Sequence, residues 1–143
     1  MNRKVFITIM FILLFCVSLN NLVFSSVSDS SLINLVKEQK NLLNIPCSRL
    51  PEIINQSVIE TNNKMTQKRE SDMTYKWSAS RTGSEDKVLL SVDVVTHVSI
   101  DSMTMSYSWN PRFEWIVDAK NNKVTPANRL TWLWMETGKL QKQ

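Results

Sequence analysis

Three residues spaced four apart invite a catalytic reading: Asp93, His97 and Asp101. A carboxylate can orient an imidazole so that it takes a proton as general base. That spacing brings side chains together on a helix, where positions four apart stack. Residues 88–100, however, alternate and are rich in β-branched side chains, which is the pattern of a strand. On a strand the three share a face but stand about 13 Å apart, at ~3.3 Å per residue. They cannot meet without help from neighbouring strands. The favoured reading is the polar outer face of a sheet, and no catalytic residue is assigned. A hydrolase built around His97 is the weakest of three functional readings. The same separation argues against a metal shared by these three, and no metal is expected.

Other chemistries lack their residues. The chain has one His, two Cys and two Gly. A structural zinc site made of His and Cys needs four such ligands. A glycine-rich phosphate loop needs at least two glycines within a few residues, and Gly83 and Gly138 are far apart. No cofactor is expected. Cys47 follows Pro46 and reads as a small buried hydrophobe. Intermolecular pairing and a reactive thiol are the alternatives. A reactive thiol needs a base, and His97 is the sole imidazole.

Aromatic residues come nearer to a function. Trp132 and Trp134 are two apart, so on a helix they point about 200° apart. Trp134 shares a stripe with Leu130 and Leu133, which makes it core and leaves Trp132 as a candidate contact surface. Met103, Met105, Tyr107 and Trp109 alternate along one strand face and are candidate pocket residues.

These residues need elements to position them. The 143 residues make room for one domain. Residues 1–25 read as a secretory leader: Arg3 and Lys4, an uncharged run at 5–17, then Val23 and Ser25 ahead of a cut before Ser26. The apolar run is about 13 residues, short of the ~20 of a spanning helix. A retained anchor is the alternative, and lipidation at Cys16 is disfavoured by the bulky Phe15 before it. Without the leader, 15 of the 17 basic residues remain against 13 acidic ones, and the charge falls from +4 to +2. That is no nucleic-acid footprint, which needs clustered Lys and Arg. The mature chain, residues 26–143, would be periplasmic or extracellular and would hold Cys47 as its single cysteine.

Asp29 and Ser30 can cap a helix over residues 31–44, ended by Pro46. A second helical stretch covers about 49–60, with Pro51 in its first turn. Residues 61–71 are polar and read as a loop or frayed edge strand. From Met73 the period becomes two. Four alternating runs, around 73–80, 88–100, 103–110 and 112–118, predict an antiparallel meander with one buried face. Turns fall at Thr82-Gly83-Ser84 and at Asn121-Asn122, and Val124 is expected to open a short fifth strand. Thr125 and Pro126 predict the cap and first position of a last helix that ends near Gly138. The expected fold is α+β: an N-terminal helix on a four- to five-stranded sheet, with a short C-terminal helix.

Residues 112–125 (RFEWIVDAKNNKVT) resemble the closing hairpin of small exported domains of PepSY or cystatin/NTF2-like type. The likeness covers a hairpin pattern and carries no catalytic residue. It implies a binding or inhibitory role. With no nucleophile–base pair and a one-layer sheet rich in aromatics, the favoured reading is a non-enzymatic exported module that binds another protein, as an inhibitor or immunity-like protein does. The runner-up is a small-ligand domain with an apolar pocket between sheet and helix. Membrane contact is expected only through an uncleaved N-terminal segment, and the oligomeric state stays open.

Overall fold

The computed structural model describes residues 27–82 and 85–140. The expected leader, Cys16 and the centre of the Gly83-Ser84 turn lie outside the described residues. Helix α1 (Asp29–Glu38) is followed by a 3-10 turn (Cys47–Arg49) and helix α2 (Leu50–Asn63). Strands β1 (Lys68–Thr82), β2 (Glu85–Ile100), β3 (Met103–Trp109), β4 (Arg112–Asp118) and β5 (Lys123–Pro126) come next. Helix α3 (Arg129–Thr137) follows. The class is α+β with an antiparallel sheet.

The cap of α1 is Ser28, one residue ahead of the expected Asp29 and Ser30. Its hydroxyl accepts from the Ser31 N–H at 3.2 Å, one of the orphan donors of a helix start. The helix also ends early, at Glu38 and not at Asn44. The buried Asn41 competes with further helix: its Oδ1 accepts from the N–H groups of Leu43 and Ile45, each at 3.0 Å. Asn44 adopts φ 60°, and a bridge from Lys40 to Pro46 closes the loop. Leu42 and Leu43, which continue the helical spacing of Leu32, Leu35 and Val36 in the sequence, are exposed. The loop docks on α3, where the Leu42 N–H donates to the Met135 carbonyl at 2.8 Å. Gly138 ends α3 at φ 67°, and a Cβ there would stand 2.5 Å from a Leu43 methyl. Glycine meets both the dihedral and the space requirement.

Strand β1 begins at Lys68, five residues before the expected start. Its first turn of sequence is charged and polar, which hid the strand. β1 pairs with the whole of β2, from Lys68 opposite Ser99 to Thr82 opposite Glu85. β2 then carries two strands on its other edge. Residues 86–91 pair with β4 and residues 94–100 with β3. The two registers are continuous, since Val94 faces Trp109 and Ser91 faces Arg112. The Val92 N–H donates to the Pro111 carbonyl at 3.1 Å in the gap. β3 and β4 are thus one long strand, broken where Pro111 has no N–H to give. β5 pairs with β4 and holds Thr125 and Pro126, so these two do not start α3. Asn128 caps that helix, accepting from the Thr131 N–H at 2.9 Å. Asn122 supplies the positive φ, 53°, of the β4–β5 turn.

The core forms where helices meet the β4 side of the sheet. Leu32 and Val36 of α1, Leu50 and Ile54 around α2, and Trp134 of α3 join Val88, Leu90, Phe113 and Trp115. Trp115 stacks on Trp77 at 5.7 Å and on Phe113 at 6.4 Å. Lys37 of α1 sits 5.6 Å over the Trp77 ring. The inner face is not buried throughout, as alternation alone suggested. Tyr75 and the inner-face side chains of β3 are exposed.

Helix α3 separates its two tryptophans. Trp134 is fully buried and Trp132 is 53% exposed, as spacing of two in a helix requires. Trp134→Ala is expected to cost about 3–5 kcal/mol in denaturant unfolding, as for a buried aromatic. Trp132→Ala should change stability by about 0.5 kcal/mol or less. Equal costs would contradict this packing.

Candidate functional site

The inner face beyond the core carries the candidate site. Register places Met103, Met105, Tyr107 and Trp109 opposite Ile100, Val98, Thr96 and Val94. Their exposures are 68%, 43%, 55% and 39%. The first two lie outside the groove lining. Tyr107 and Trp109 do, in a half-open groove of about 280 Å³ under the C-terminal half of α2. Two of the four expected pocket residues are therefore brought to one site.

Helix α2 forms one wall with Val58, Thr61 and Asn62. The sheet forms the floor with Arg69, Val94 and Thr96, and Leu140 closes one end. A chain of hydrogen bonds ties wall to floor. Asn62 Nδ2 donates to Ser71 Oγ at 2.8 Å, and Ser71 Oγ lies 2.7 Å from Thr96 Oγ1. Ser71 and Thr96 face each other across β1 and β2, so α2 is held by side chains of a strand pair. Sequence reasoning missed Arg69 because it sits among charged residues of a segment read as a loop or frayed edge strand, which left its face unassigned. Once β1 starts at Lys68, alternation puts Arg69 on the inner face, opposite buried Val98. Its Nε is buried with no hydrogen-bond partner.

The outer face holds a second constellation. The sequence pairing of Asp93, His97 and Asp101 does not form. Neighbouring strands bring other partners instead. His97 Nδ1 lies 2.9 Å from Ser106 Oγ on β3. Its Nε2 lies 3.9 Å from Asp72 Oδ2 on β1. The types are those of a hydrolytic triad, but the setting differs. Asp72 is almost fully exposed and the ion-pair distance is at the outer limit, where water screens most of the interaction. The groove lies on the opposite face of the sheet. Nearby, Lys68 binds Glu70 at 2.9 Å and holds its carboxyl below the usual range, with His97 a smaller influence.

Cys47 is fully buried, with its sulfur 3.7 Å from the Met135 sulfur. Burial pushes the thiol up to about 11. The neighbouring Trp134 indole opposes this shift slightly, yet its N–H makes no hydrogen bond within ordinary limits. Among the described residues no cluster of three or more His, Cys, Asp or Glu could hold a metal ion. Among them, too, no helix is long and apolar enough to cross a membrane.

No family model, curated protein or solved structure matches the chain. The reading of the site rests on its own geometry.

Two outcomes follow. The native Cys47 thiol should resist a thiol reagent at about pH 8 and react fully in denaturant. Its folded value is raised from the ordinary 9.0 to about 11. The native state therefore keeps a proton that the unfolded chain has lost, and this contribution to stability falls as pH rises across that window. Cys47→Ala should lack that component in unfolding measured against pH. His97→Ala should shift stability by about 0.5 kcal/mol or less, and a serine-directed phosphonate should leave Ser106 unlabelled. Labelling of Ser106 that His97→Ala abolishes would overturn the reading of this face as inert.

Proposed function

We propose that this chain is an exported, non-enzymatic binding module whose protein partner docks along β3. One observation carries the reading: β3 is an edge strand without a charged residue, and its inner-face side chains stand in solvent. Its sequence is MTMSYSW, and β2 is its single strand partner among the described residues. The opposite edge, β1, is defended by Lys68, Glu70, Asp72, Lys76 and Arg81. Charge is the common means of keeping an edge from pairing. β3 lacks it, so an extended segment of a partner can add there as a further strand. Main-chain bonds would give affinity, and alternate apolar side chains would pack on Met103 and Met105. Trp132 serves as a second contact on α3. The layout, with helices on one face of an antiparallel sheet, is of cystatin/NTF2-like type in this reading. Residues 1–25 act as the export leader, which the basic start and the short apolar run support.

A second reading, a small-ligand site, is favoured by the groove under α2. The two readings use different residues. Met103 and Met105 lie outside the groove lining.

A photocrosslinking side chain at position 105, in the protein expressed in its native host, tests the docking reading. It should give one discrete protein adduct, and the same side chain at position 74 on β1 should give none. Met103→Lys should remove that adduct with stability unchanged within about 0.5 kcal/mol. An adduct of twice the chain's mass would make the partner a second copy. No adduct at 105 would refute docking at β3.

A further inference from the structure

Arg69 is unused by docking at β3, and its setting is incomplete. Its guanidinium lines an apolar groove, with Nε buried and without an acceptor. No carboxylate lies within ion-pair reach of it among the described residues. The acids beside it in sequence alternate to the other face of β1. There Glu70 is engaged by Lys68 and Asp72 stands near His97. The C-terminal end of α2 forms the adjoining wall, and its dipole favours a cation. That field helps the charge to be tolerated, but it gives Nε no hydrogen bond. With no carboxylate of the described chain beside it, a guanidinium at a groove is matched by a planar anion, because its fork of donors fits a carboxylate.

We propose that the groove binds a small organic carboxylate with a short apolar body. The carboxylate would meet Arg69, and the body would lie against Val58, Tyr107 and Trp109. The inference rests on the ligand-groove reading and is independent of partner docking at β3. The groove's 280 Å³ is at the small end of ligand sites, which run from about 300 Å³ upward. A short chain or a single ring fits; a lipid with two acyl chains does not. Thr61 and Asn62 border the apolar wall and offer further polar contacts at its rim.

Calorimetric titration of octanoate and of octanol separates the anion from the groove. Octanoate should bind the folded wild-type protein about ten-fold more tightly than octanol, or better. Arg69→Met should bring octanoate down to the level of octanol and leave octanol unchanged. The Trp109 indole N–H resonance should move on binding, and Val58→Phe, which fills the groove, should weaken both probes. If Arg69→Met does not fold, Thr61→Glu supplies a carboxylate from the chain itself and should cancel the preference for octanoate. Equal affinity for the two probes, or a preference that survives at Arg69→Met, overturns the carboxylate assignment while the groove reading stands. Failure of both probes to bind overturns the groove reading with it. Binding of inorganic phosphate in place of octanoate overturns the apolar body.

Discussion

The length mismatch between the sheet and its helices governs this molecule. β2 has 16 residues and spans about 53 Å at ~3.3 Å per residue. The longest helix, α2, has 14 residues and spans about 21 Å at ~1.5 Å per residue. Three short helices therefore cannot cover the inner face that β2 and its neighbours present. α1 and α3 gather over β4, where Phe113, Trp115 and Val117 are buried, and α1 and α2 pack on β1. The face built on β3 is left with α2's last turns for cover, and the groove opens there. The split of the third strand at Pro111 marks the boundary between the covered half and the open half.

The period-two runs were legible because the inner-face positions of β4, and nearly all of those of β2, are apolar, Thr96 being an exception in β2. Val88, Leu90, Val92 and Val94 fix the register on one face, and a slip by one would expose them all. Less legible was whatever depends on local side-chain competition for the backbone or on partners distant in sequence. Leu42 and Leu43 fit a helical stripe, yet the Asn41 side chain takes the N–H groups that a longer helix would use. Thr125-Pro126 reads as a helix start, but Pro126 closes β5 against Trp115. Its missing N–H is harmless at a strand end. The first residues of β1 look like a loop because they form a guarded edge, and charge on an edge strand resembles charge on a loop.

The site was half legible for the same reason. Alternation put Met103, Met105, Tyr107 and Trp109 on one face, but it could not say where helix cover would stop. Tyr107 and Trp109 fall under the rim of α2, and the two methionines fall beyond it. Arg69 needed the strand start at Lys68 before its side could be assigned. The Ser106, His97 and Asp72 cluster needed the pairing of three strands, none of it local in sequence. Its residues lie in a solvated sheet face, whereas electrostatic catalysis gains most where water is excluded.

Two edges of one sheet are treated in opposite ways, and this asymmetry constrains what the molecule does. A long edge left uncharged and apolar is an aggregation hazard. Along β1 six of 15 residues are charged, most of them at its start, and Tyr75 stands exposed there. Along β3 no such guard exists, although Thr104, Ser106 and Ser108 could each be a lysine without disturbing the core, since all three are exposed. Stability alone gives no reason to leave that edge bare. A surface that must accept a strand cannot carry the charges that would repel it. The open half of the inner face and the unguarded edge lie where the helices do not reach, and the unpaired Arg69 lies at the border, under the last turns of α2.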